Sequence, residues 1–287
     1  MNILYVTYTL NALLMIVFGI AAGAILTQQL KLGWRLYLIG AATFVISQLF
    51  HLPFNSLILN PFLRTQVIPN LDGVSETLAI AVLGGLSAGL FEEFTRYGVL
   101  RWWARKARTW PQGLLFGAGH GGAEAILLGV LVAISLINMI VLKDADLPAL
   151  VPPEQLDQVH ELVQAYWSTP WHTTLLGALE RALTIPLQIS FAVLVLQAFT
   201  RGRFRWVWLA VLWHTFIDAA AVFASQYWNV YAAEFLLAVM SAIGIAVILA
   251  LRGPGPVDQA EDGGPIEPIS PIQIQPCLLY TSPSPRD

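Results

Sequence analysis

Seven apolar stretches, most of twenty residues or more, constrain this chain more than any other feature. They lie at about 3–27, 35–59, 75–99, 112–142, 171–199, 206–225 and 229–251. About 20 helical residues cross the ~30 Å hydrocarbon core of a bilayer. Within that core no water is present, so each segment must satisfy its own backbone polar groups, which a helix does. The expected fold is therefore all-α, a polytopic transmembrane helical bundle of about seven spans in the cell membrane. Composition agrees: only 11% of residues are charged and the mean hydropathy is +0.65. Soluble domains run near ~25% charged, so such a chain cannot coat a water-exposed surface. The basic residues form short clusters between the runs and no continuous stripe, so no nucleic-acid partner is expected. The first run lacks a basic leader and is too long for a cleaved signal peptide, so it reads as a span.

Lysine and arginine set the expected orientation. The connections after runs one, three, five and seven carry Lys31, Arg35, Arg101, Arg105, Lys106, Arg108, Arg201, Arg203, Arg205 and Arg252. The opposite connections carry only Arg64 and Lys143. That bias predicts an N-terminus outside and a cytoplasmic C-terminus. The loop 143–170 is acidic and has room for a short surface helix. The expected organisation is a membrane domain over 1–252, with its working core at about 75–225. A Pro/Gly-rich disordered tail follows over 253–276. The one cysteine, Cys277, opens the string 277–287, which resembles the in-frame translation of a transposase adapter used in sequencing libraries and is set aside. Without it there is no disulfide and no thiolate chemistry.

Ionisable groups inside spans cost at least ~2.5 kcal/mol each at the helix centre and need a reason. Span three holds Glu92, Glu93 and Arg96, span four His120 and Glu124, span five Glu180 and Arg181, span six His214 and Asp218. Glu92 lies eight residues before Leu100, His120 eight after Gln112 and His214 eight after Trp206. At ~1.5 Å per residue all three sit about 12 Å in from the cytoplasmic face. Glu124 and Asp218 follow their histidines by one turn on the same helix face. A carboxylate and an imidazole at one level can hold a water and take its proton. A second imidazole with a neighbouring Asp can stabilise an oxyanion. The same side chains suit a divalent metal such as zinc, held by His120, Glu124 and His214, so the cofactor is either zinc or none. No serine sits in a nucleophile elbow.

Bland readings stand beside these. Glu92 with Arg96 at i, i+4 is also a self-neutralising ion pair. Glu180 and Arg181 read as a structural pair away from the shared level, and His51 as an interfacial histidine. The glycines of Gly117-Ala-Gly-His120-Gly-Gly122 either pack helices closely or open backbone groups to a water or substrate strand.

Glu92-Glu93-Phe-Thr-Arg96, Phe116-Gly-Ala-Gly-His120 and His214-Thr-Phe-Ile-Asp218 resemble the motifs of the CAAX-protease and bacteriocin-processing superfamily of intramembrane proteases. Glu92-Glu-Phe-Thr-Arg-Tyr97, Gly119-His-Gly-Gly-Ala-Glu-Ala125 and the later Glu180-Arg181 look most like its YhfC-type membrane peptidases. The resemblance covers roughly 75–225, with the motifs in the family's order. It implies that Glu92 activates water together with His120, while His214 and Asp218 form the oxyanion side. Glu93 either shares that work or orients Arg96, and Glu124 supports it. Two positions depart: Arg96 is one residue nearer the glutamates than in the wider superfamily, and Gln188 stands where the YhfC type carries histidine.

The expected activity is a glutamic-type intramembrane peptidase opening toward the cytoplasmic leaflet, with a metalloprotease as its nearest variant. Its substrate would be a membrane-embedded or lipidated peptide. An ion- or proton-coupled transporter and a catalytically silent scaffold remain alternatives. No feature specifies an oligomeric state.

Overall fold

The structure, a computed structural model, describes residues 3–253. The tail and the adapter-like string lie outside the described residues. The helices are α1 (Ile3–Leu30), α2 (Arg35–Phe54), α3 (Gly73–Trp102), α4 (Trp110–Lys143), α5 (Leu156–Ser168), α6 (Leu176–Thr200), α7 (Arg205–Tyr227) and α8 (Val230–Ala250), and no strand occurs among the described residues. Seven stretches are long and apolar enough to cross a membrane. Leu49, Leu57, Ile137 and Phe235 are among the many large apolar side chains left uncovered on their outer faces. Only lipid can cover so much apolar surface. The chain is a multi-pass integral membrane protein.

The second span is longer than expected, running from Arg35 to Asn70. Pro53 and Pro61 lie within it, and the chain passes through π-helical turns at Asn55–Leu59 and Leu63–Val67. A widened turn absorbs an extra residue, so the helix need not end at a missing N–H. The acidic loop does carry a short helix, α5. It docks by aromatic contact, with Tyr166 stacked on Tyr8 at 4.3 Å and Trp167 tilted on Tyr5 at 4.8 Å.

Two glycine seams position the polar centre. α2 and α4 cross so closely that a Cβ on Gly119 would run into the Tyr37 carbonyl, and one on Gly40 into that of Phe116. Residues 113–122 are wholly buried, so these glycines serve packing and open no backbone to a ligand. Along the second seam, a Cβ on Gly85 or Gly89 of α3 would lie 2.9 Å from the carbonyl oxygens of Thr215 or Val211 on α7. That approach brings the glutamates of α3 within reach of His214. α6 is the most enclosed span and packs on α1, α4, α7 and α8.

Candidate active site

The expected common level is present and lies a little deeper than spacing suggested. Glu92 sits ten residues before Trp102, where α3 ends, His120 ten after Trp110, where α4 begins, and His214 nine after Arg205, where α7 begins. At ~1.5 Å per residue that is about 14–15 Å along each helix.

Arg96 is the hub, with no exposed surface. Its Nη1 donates to Glu93 Oε1 at 2.6 Å and its Nη2 to Glu92 Oε2 at 3.4 Å. Nη2 also donates to Gln188 Oε1 on α6, and Nε donates to His120 Nδ1 at 3.4 Å. A charge taken out of water needs this many partners, because an unpaired one costs several kcal/mol. The last bond sets the tautomer of His120. Its Nδ1 is an acceptor, so Nε2 carries the proton and donates to Glu92 Oε2 at 3.0 Å. Oε1 of Glu92 accepts from Gln48 Nε2 at 3.1 Å. On the other side, His214 places Nδ1 at 2.8 Å from Glu93 Oε1 and Nε2 at 3.4 Å from Asp218 Oδ2. A proton on either ring nitrogen has a carboxylate to receive it. The ring stacks on Phe191 at 4.4 Å with 5° between planes.

Sequence reasoning grouped His120, Glu124 and His214 as metal ligands; the structure groups otherwise. Glu124 is taken by Arg181 Nη1 at 2.5 Å and by Gln188 Nε2 at 2.7 Å. Ligand atoms of Glu92, Glu93 and His214 instead all lie within 4.8 Å of one another, and all three residues are buried. Oε2 of Glu93 is buried without a hydrogen-bond partner. A carboxylate pair and an imidazole with one orphaned oxygen fit a divalent ion such as zinc.

A cavity of about 370 Å³ meets this centre. Glu92, Gln188, His214 and Asp218 face it, together with Glu124 and Arg181. His120 and Glu93 stand behind and have no exposed surface. Two expectations change here. Glu180 and Arg181, expected apart from the site, form part of the cavity wall as an ion pair extended to Glu124. The cavity also runs from Glu92 toward Ile80, Ala81, Ala221 and Val222, away from the Lys/Arg-rich end. Opening toward that end was the expectation. The α6 side chains at the Lys/Arg-rich end, Val193 to Leu196, are packed shut.

Several residues of the centre were missed. Gln48 and Gln188 hold its two ends. His51 is buried and hydrogen-bonded: it places Nδ1 3.4 Å from Gln48 Oε1 and Nε2 2.9 Å from Asn55 Nδ2. Ser87 donates to Asn55 Oδ1 at 2.7 Å. With Gln48 donating to Glu92, every bond from Ser87 through Asn55, His51 and Gln48 points the same way. The signal was available as polar residues Gln48, His51 and Asn55 at helical spacing. Ser87 also stands in Gly85-Leu-Ser87-Ala-Gly89, which has the spacing of a nucleophile elbow that the sequence reading passed over. It lies inside a helix and bonds an amide, so nothing activates it.

The fold and this centre define a multi-pass membrane protein with carboxylates and imidazoles buried together among its spans. The chain belongs to the YhfC intramembrane metalloprotease family, which it matches over residues 12–241. It is similar to the uncharacterized membrane protein YhfC of Bacillus subtilis (strain 168), with 31% identity over 252 residues. That alignment covers 83% of this chain and 93% of the relative. No solved structure matches it.

Proposed function

We propose that the chain is an intramembrane peptidase that hydrolyses a peptide bond of a membrane-embedded or lipidated substrate in the cavity beside Glu92. The observation carrying this reading is that Glu92 and His214, each held by its own partners, face one cavity. Donors from Gln48, His120 and Arg96 fix Glu92 in orientation. Glu92 takes a proton from a water in the cavity as the water oxygen adds to the carbonyl carbon of the scissile bond. His214, held at Nδ1 by Glu93, turns its Nε2–H from the 3.4 Å contact with Asp218 and donates it to the oxygen that becomes negative. The C–N bond then breaks, the proton on Glu92 passes to the departing nitrogen, and a carboxylic acid and an amine leave. His120 and Arg96 do not reach the cavity and act as positioning residues through Glu92.

The family is named for a metal, and Glu92, Glu93 and His214 are the residues that would hold one. A divalent ion there supplies Lewis-acid polarisation of a carbonyl or a water. Asp218, with its side chain 38% exposed, then remains as a carboxylate free to accept a proton.

The test offers purified protein in nanodiscs a panel of transmembrane and lipidated peptides and reads new termini by mass spectrometry. Cleavage by wild type, lost in Glu92→Gln, is expected. Cleavage that survives a chelator assigns the metal-free route, and loss restored by zinc assigns the metal route. Equal cleavage by Glu92→Gln would sink the assignment of the site.

A further inference from the structure

At the Lys/Arg-rich end, the α1–α2 turn and the segment after α3 enclose a pocket of about 410 Å³. Arg35, Arg105 and Lys106 line it and, among the described residues, no carboxylate does. None of the three forms an ion pair among the described residues, where every such pair involves Arg96, His120, Arg181 or His214. The neighbouring Arg108 turns to the carbonyls of Leu100 and Ala107 and to the ring of Phe199. Burial, and then the charge of Arg101, pull its pKa below the ordinary arginine value, and among the described residues the connections 31–34, 103–109 and 201–204 at this end hold no Asp or Glu.

Trp103 also lines a second space, a groove of about 750 Å³ between α2 and α3. Its walls include Ile46, Phe50, Phe54, Phe91 and Trp102. Thr95 is the one hydroxyl among its lining residues, and it donates to Phe91 O. From Trp102 to Phe91 is eleven residues of helix, about 16 Å at ~1.5 Å per residue. Half of the ~30 Å hydrocarbon core is nearly the same length. An extended peptide in such a groove would leave its amides without partners, whereas a hydrocarbon chain leaves nothing unsatisfied.

We propose that Arg35, Arg105 and Lys106 bind the phosphate-bearing headgroup of an anionic glycerophospholipid whose acyl chain lies in the α2–α3 groove. Trp103 stands where headgroup and chain join. The chain's far end meets Phe91, which contacts His51 and Phe54 and precedes Glu92 in the sequence. The site therefore abuts the polar chain that supports Glu92, although the proposal does not depend on peptidase activity.

Delipidated protein in detergent is titrated with dioleoylphosphatidylglycerol or dioleoylphosphatidylcholine and read by native mass spectrometry. At ~1 kcal/mol per basic residue, three cations give a preference for the anionic lipid on the order of a hundredfold. The variant Arg35→Ala/Arg105→Ala/Lys106→Ala is expected to lose that preference. Arg201→Ala/Arg203→Ala/Arg205→Ala, an equal charge change at the same end of the bundle, is expected to keep it. Gly98→Leu fills the groove with all charges intact and is expected to weaken phosphatidylglycerol at least about tenfold. Equal binding of both lipids by wild type, or equal losses in the two triple variants, would overturn the site. Glycerol 3-phosphate competing as well as the whole lipid would remove the groove from it.

Discussion

Two guanidinium clusters stand side by side in this membrane domain, built from nearly the same parts. Arg96 has Glu92 and Glu93; Arg181 has Glu124 and Glu180; Gln188 bridges them, accepting from Arg96 and donating to Glu124. The difference is in enclosure and in what else is present. The carboxylates on Arg96 are 8% and 0% exposed and each also meets an imidazole, whereas those on Arg181 are 19% and 40% exposed and meet none. The first cluster adds groups that can move a proton, and the second is an ion pair that braces a cavity wall. A buried charge pair by itself is therefore no sign of chemistry; imidazoles sharing its carboxylates are.

That contrast can be broken by substitution. Arg96→Met strands two buried carboxylates and should cost about 3–5 kcal/mol, read as a large fall in Tm in detergent. Arg181→Met leaves carboxylates that the cavity can hydrate, and about 1–3 kcal/mol is expected. Equal losses would mean that the clusters do the same structural work. Gln188→Leu should cost less than Arg96→Met. A double-mutant cycle between Arg96 and Arg181 should then show their coupling, of order 0.5–3 kcal/mol, disappear in the Gln188→Leu background. Coupling unchanged by that substitution would show that Gln188 links nothing. Glu180→Gln is the smallest change, within about 1 kcal/mol, because the Glu180 side chain is 40% exposed and Arg181 keeps Glu124 as a partner.

Much of this could be read from residues alone. Hydropathy located all seven spans, the last to within a residue at each end, at 229–251 against Val230–Ala250. It stopped the second span short, at 59 against Asn70, and no local pattern announces the π turns that carry the helix on past Pro61. Spacing from span ends put Glu92, His120 and His214 on one level, since rise per residue is constant. Which carboxylate meets which imidazole depends on helix rotation and rotamer, which spacing does not encode, so Glu124 was grouped with the histidines when it belongs to Arg181. The roles of Gln48 and Gln188 were missed for another reason. A neutral amide in a span costs less than a charge and demands less explanation, yet here amides aim the charges. The direction of the cavity follows from where Ala81, Gly84 and Gly85 of α3 face Ala221 of α7, a property of the assembled bundle.

The central claim is that chemistry belongs to the Arg96 cluster and not to its neighbour. The most direct measurement is the single-turnover cleavage rate of one transmembrane peptide by wild type, Glu92→Gln and Glu180→Gln in the same nanodiscs. The account predicts a loss of at least about 10²-fold for Glu92→Gln. For Glu180→Gln it predicts a rate within a few-fold of wild type and the same two products. A Glu92→Gln enzyme that cleaves normally, or a Glu180→Gln enzyme that is dead though folded, would contradict it.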